Sequence, residues 1–149
     1  MEDKFKFGEL QQRITKMKRD LPIKLANNSR LYFSATFKNQ AWDGQPWQEV
    51  NRRIEGTQEY KYPKKKDLGR RTRPILVGKG STKLRRAVNN SIRVQSWPIV
   101  RLVVDLPYAR RHNEGLNGMP KRQFMGNSPI LHKQHLETID KFMRELWRG

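Results

Sequence analysis

Apolar residues recur at helical intervals from Glu9 to Phe37, in two blocks on either side of Pro22, and no glycine interrupts the run. In the first block Leu10, Ile14 and Met17 fall at i, i+4 and i+7, which places them on one face, while Arg13, Lys16, Lys18 and Arg19 cover much of the rest. Pro22 is tolerated in the first turn of a helix, and Asp20 is suited to cap one there, so the pattern predicts two helices divided at this point. The second presents Leu21, Leu25, Tyr32 and Ala35 along one stripe, broadened by Leu31, Phe33 and Phe37 and weakened by Asn27, Asn28 and Ser29.

Ala41 to Trp47 carries Asp-Gly and Gln-Pro, the punctuation of a tight turn, with a tryptophan on either side whose apolar surface would pin it to the core. Residues 52–73 are polar and strongly basic, with the runs Lys64-Lys65-Lys66 and Arg70-Arg71-Thr72-Arg73, and read as a long mobile loop. Apolar character resumes at Ile75-Leu76-Val77. Ser81 or Thr82 can cap a short helix containing Leu84, Ala87 and Val88. The β-branched runs 91–94 and 99–104 predict a hairpin, and 108–118 reads as a loop. Ser128 and Pro129 open a final helix, with Leu136, Ile139, Met143 and Leu146 on one face. The sum is an α+β fold in one domain: N-terminal helices and a C-terminal helix packed on a mostly antiparallel sheet, with a long basic loop.

Charge changes this picture most. The chain has 32 Lys and Arg against 14 Asp and Glu, a net +18, which draws it toward polyanions such as nucleic acid or an acidic protein surface. With no cysteine there is no disulfide framework and no thiolate site. The longest apolar stretch, Ile99 to Leu106, is broken by Arg101 and Asp105, so no membrane partner is expected, and the acidic opening Met1-Glu2-Asp3 does not resemble a secretion signal.

Tests for catalysis come back empty. His132 and His135 stand at i, i+3 without a carboxylate to complete a metal set, so no metal is expected. Gly78-Lys79-Gly80-Ser81-Thr82 lacks the four-residue gap of a phosphate loop and reads as a turn into a capped helix. His112 and Glu114 lie close in sequence, yet no nucleophile, oxyanion site or cofactor signature accompanies them; the expectation is a protein without enzymatic activity or cofactor.

Four segments nevertheless follow a recognisable order. Asp43-Gly44-Gln45-Pro46-Trp47 follows the N-terminal helices; Pro74-Ile75-Leu76-Val77-Gly78 leads on through Leu84 to Ala87 after the basic stretch; Pro107-Tyr108-Ala109-Arg110-Arg111-His112-Asn113-Glu114-Gly115 comes third; Met119-Pro120-Lys121-Arg122-Gln123-Phe124-Met125-Gly126 precedes the last helix. In this order they resemble the phage virion morphogenesis family, the tail-completion proteins of Mu-like and related tailed phages, although the second segment has a longer gap between glycine and leucine than the family pattern. The resemblance covers about two thirds of the chain, the N-terminal helices lying outside it. It implies a structural virion protein at the head–tail junction, assembled in the host cytoplasm as one subunit of a homo-oligomeric ring that meets neighbouring connector and tail proteins. Tyr108, His112, Arg122 and Phe124 would then anchor neighbouring subunits, since aromatic and cationic residues dominate interfaces. Lys64, Lys65, Lys66, Arg70, Arg71 and Arg73 would face DNA in the lumen or an acidic partner, using charge without base readout. The alternative is a basic nucleic-acid-binding protein of another class, although no helix-turn-helix, zinc finger or aromatic RNA-binding signature is present.

Overall fold

Between Gly8 and Gly44 nothing but Pro22 opposes helix, and the chain forms one continuous helix, α1 (Phe7–Asn39), rather than the two expected. The computed structural model describes residues 6–62, 69–78 and 81–148. A proline inside a helix withholds one N–H and crowds the preceding turn, at about 3 kcal/mol. Here it is offset by good helix formers on either side and by burial of Leu21 and Pro22. The polar residues that weakened the expectation have partners. Asn27 Nδ2 donates to the Ile23 carbonyl (3.0 Å) and Ser29 Oγ to that of Leu25 (3.0 Å). The buried stripe runs Pro22, Ala26, Ser29, Phe33 and Thr36, a 3–4 spacing flanked by buried Leu21 and Phe37, so Leu31 and Ala35 turn outward.

The chain gathers into two compact units, each assembled from separated stretches of sequence. The first takes residues up to Arg30, 92–103 and 127 onward. It holds the first part of α1, the hairpin β3 (Ile92–Ser96) and β4 (Ile99–Leu102), and the last helix α5 (Pro129–Trp147). Ser96 pairs with Ile99 and Val94 with Arg101, after which a bulge at Arg93 brings Ile92 opposite Leu102. Ser128 caps α5, its hydroxyl accepting from the Leu131 amide (3.1 Å), with Pro129 at the first helical position. Of the expected face of α5, Leu146 is buried and Ile139 half-buried, but Leu136 is 55% exposed and Met143 39%; Leu131, buried, and His135, Thr138 and Phe142, half-buried, share the inner side instead. Polar pairing decides the rotation. Asn28 Nδ2 donates to Thr138 Oγ1 (3.1 Å), Ser29 Oγ lies 3.0 Å from His135 Nε2, and Arg13 Nη1 reaches the carbonyls of Leu146 and Arg148 at the open end of α5.

The second unit comprises residues 31–91 and 104–126. Asp43 and Gly44 both take positive φ (47° and 79°) and close a miniature hairpin of β1 (Ala41–Trp42) and β2 (Gln45–Pro46), the two-residue turn that Asp-Gly favours. The flanking tryptophans pack into the core as expected: Trp42 stacks on Phe33 (6.2 Å between centroids), and Trp47 meets Phe37 edge-on (5.7 Å). Phe124 completes that cluster 5.5 Å from Phe37 and is 2% exposed. Stretches expected as loop carry short helices: a 3-10 turn (Asn51–Arg53), α2 (Gln58–Lys61) and α4 (Ala109–Glu114). Thr57 caps α2, and α4 is supported by the Arg110–Glu114 pair and ended by Gly115 at φ 72°. The helix expected after Thr82 is α3 (Lys83–Asn89), with Leu84 and Val88 buried.

The fold is α+β, and among the described residues both sheets are two-stranded and antiparallel, in place of one larger sheet. No described helix is long and apolar enough to cross a membrane. Truncating the ring at the centre of the second unit, Phe124→Ala, is expected to destabilise the protein by about 3–5 kcal/mol, read as a lower urea midpoint.

Candidate functional site

The chain around the second unit's short helices is mostly irregular, and its carbonyl groups need donors from outside any ladder. Arginines supply them. Arg52 donates from Nε to the Arg70 carbonyl (2.7 Å) and from Nη2 to those of Arg73 (2.9 Å) and Pro74 (3.1 Å). Arg53 Nη2 reaches the Arg73 carbonyl as well (2.6 Å), and its Nη1 lies 3.4 Å from the Glu49 carboxylate. Arg122, only 5% exposed, donates from Nε to the Gln48 carbonyl (3.0 Å) and from Nη2 to that of Glu49 (3.4 Å). Hydrogen bonds to a charged donor contribute about 1.5–3 kcal/mol each, and three such forks tie the stretches near 50, 72 and 122 together.

A second set of contacts joins the segment 107–115 to the segment 119–126. The Arg122 amide donates to the His112 carbonyl (2.7 Å), and Asn113 Oδ1 accepts from the amides of Phe124 (2.9 Å) and Met125 (3.0 Å). Gly115 sits where a Cβ would come within 2.9 Å of the Lys121 backbone, so glycine is needed there for close approach as well as for positive φ. Trp47 Nε1 donates to the Gln123 carbonyl (2.8 Å) and links the Asp-Gly turn to the same body.

These contacts frame a cleft of about 570 Å3 whose walls include Arg52, Tyr108, His112, Met119 and Arg122. Tyr108 and His112 meet edge-on, 6.2 Å between centroids. Three of the four residues expected at an interface therefore share one cleft. Phe124 does not: it is a core residue, shielded by Phe37, and its role as a surface anchor is corrected. Burial, then the Arg122 charge, pulls the His112 pKa below its usual value; its Nδ1 is buried without a hydrogen-bond partner, which favours the neutral ring. Burial, then the guanidiniums of Arg73, Arg53 and Arg122, lowers Arg52; burial lowers Arg122.

The described parts of the basic stretch, 52–62 and 69–73, are held by hydrogen bonds. Lys64, Lys65 and Lys66 lie outside the described residues. Arg70 is buried at 8% exposure and donates to the Tyr60 carbonyl (3.2 Å), and Arg71 donates to the same carbonyl (3.1 Å) while its guanidinium lies 3.9 Å from the Tyr60 ring centroid. The half-buried Arg73 lends its carbonyl to Arg52 and Arg53. Sequence reasoning missed Arg52, Arg53 and Gln40, whose Oε1 accepts from the Ile75 amide (2.9 Å); the backbone groups they meet lie 18 or more residues away, beyond the reach of local spacing. Among the described residues no three His, Asp or Glu side chains gather as a metal site.

No family model, curated protein or solved structure matches this chain.

The His112 environment has a consequence for stability. The unfolded chain protonates its histidines near 6.5, whereas His112 in the fold, and His135 with its ring also shifted down by burial, resist protonation. Stability is thus full above that value and falls as pH drops through it toward the lower folded pKa values. The urea midpoint should be lower at pH 5.5 than at pH 7.5, and the double variant His112→Gln, His135→Gln should lose most of that difference; equal midpoints for the unmodified protein would contradict the assignment.

Proposed function

We propose that the chain is a non-enzymatic structural component of a tailed-phage virion, a tail-completion or neck subunit that joins head to tail as part of an oligomeric ring. The observation that carries this reading is the convergence of the four segments behind the family resemblance. The turn at 43–47, the stretch 74–87 and the segments 107–115 and 119–126 all lie in one compact unit. Their characteristic residues have definite work there: Trp47 bonds to Gln123, Gly115 admits Lys121, and Arg122 clasps Gln48 and Glu49. These contacts between the segments support the reading.

The cleft supports binding over catalysis. His112 has an aromatic and a guanidinium beside it, and its buried nitrogen has no hydrogen-bonded carboxylate to make it a general base. Tyr108 and Met119 at its edge are 37% and 38% exposed, the amphipathic surface that a protein partner buries. Nucleic-acid binding has the +18 charge in its favour, but Arg52, Arg53, Arg70 and Arg122 spend donors on backbone carbonyls, which reduces what they offer to a phosphate backbone.

Disrupting the gene in the producing phage tests the assignment by negative-stain imaging. Filled heads separated from free tails are expected; normally joined particles would remove the joining role and bring nucleic-acid binding forward.

A further inference from the structure

Arg122 is a buried cation whose compensating charge, Glu49, lies beyond ion-pair distance. It is 95% buried by difference from its 5% exposure, and among the described residues it makes no ion pair. Glu49, whose charge offsets part of that of Arg122, accepts at Oε1 from the Val50 amide (2.8 Å) and from Arg53. Burying a charge that is only partly compensated is unfavourable, and carbonyl dipoles offset it only in part. Arg52 shares the cleft and likewise forms no ion pair. In both residues Nε and Nη2 are committed to carbonyls, which leaves Nη1 as the donor without a hydrogen-bond partner among the described residues. The two guanidiniums repel each other and are held together by the fold regardless.

The rest of the wall narrows the occupant. Leu76, Leu84, Met119 and Pro120 make it substantially apolar, and Leu76 is held at φ 61°, a conformation unfavourable for leucine that is typical of binding surfaces. The volume suits a side chain and its neighbours, not a duplex. Glu49 and Glu59 in the same wall would repel the continuous charge of a nucleic-acid backbone while tolerating one carboxylate placed at the arginines. A second copy, itself at +18, is repelled on approach.

We propose that this cleft is a docking site for an acidic peptide segment of a partner protein, an aspartate or glutamate flanked by apolar residues, with the carboxylate received by the free Nη1 groups of Arg52 and Arg122. The inference rests on the cleft being a partner surface, as in the joining role, and not on the partner being a phage protein. Failure of peptide binding would leave the particle phenotype untouched, so the two are tested separately.

The test varies the ligand, so that no variant has to fold. The full chain, labelled with 15N, is titrated with acetyl-Leu-Glu-Leu-amide and with its glutamine counterpart while the arginine Nε–H signals are followed. The acidic peptide is expected to shift the Arg52 and Arg122 signals saturably, with the glutamine peptide roughly tenfold weaker. Equal binding of the two, or no shift with either, would overturn the proposal. So would inorganic phosphate displacing the peptide at equal concentration, a short DNA duplex moving the same signals more strongly, or the same shifts on concentrating the protein alone, which would assign the cleft to a free anion, to nucleic acid or to a second copy.

Discussion

The second unit depends on guanidinium groups donating to backbone carbonyls across long sequence separations. A stretch of chain with little sheet and only short helices leaves many carbonyls without a ladder partner, and burying them unpaired is unfavourable. Arg52, Arg53, Arg70 and Arg122 meet this need between residues 48 and 74, Arg52 and Arg122 by a planar fork onto neighbouring carbonyls that lysine lacks. The first unit uses the same device once, where Arg13 closes the carbonyl end of α5. Part of what appears in the composition as an excess of positive charge is therefore structural.

This division of labour explains what composition alone leaves open. A +18 chain invites a nucleic-acid reading, but the charge relevant to a partner is the portion left free after the backbone has been satisfied. Arg71 is spent on Tyr60 and Arg53 on Glu49 and Arg73. In the cleft, the remaining donors belong to arginines already immobilised by their other hydrogen bonds, so a ligand group meeting them orders little that was free before.

Local rules made part of the fold legible. The Ser128-Pro129 start of α5, the Asp43-Gly44 turn and the hairpin from Ile92 each rest on residues adjacent in sequence, and each stands where the pattern places it. Continuity through Pro22 was not legible, because it depends on burial of that turn, nor was the rotation of α5, which follows from Asn28 and Ser29 finding Thr138 and His135 more than 100 residues away. The site divides the same way. Tyr108, His112 and Arg122 are singled out because they stand in short segments that resemble a family pattern, whereas Arg52 joins them only through tertiary contacts and Phe124 stands in the same segment while serving the core.

The central claim is that arginine geometry, and not positive charge, holds the second unit together. The charge-conserving variant Arg122→Lys tests it most directly by urea unfolding at pH 7.5. Lysine keeps the charge but cannot bridge the Gln48 and Glu49 carbonyls with a fork, so a loss of about 1.5–3 kcal/mol is predicted. A variant as stable as the parent would contradict the account and return Arg122 to the pool of general surface charge.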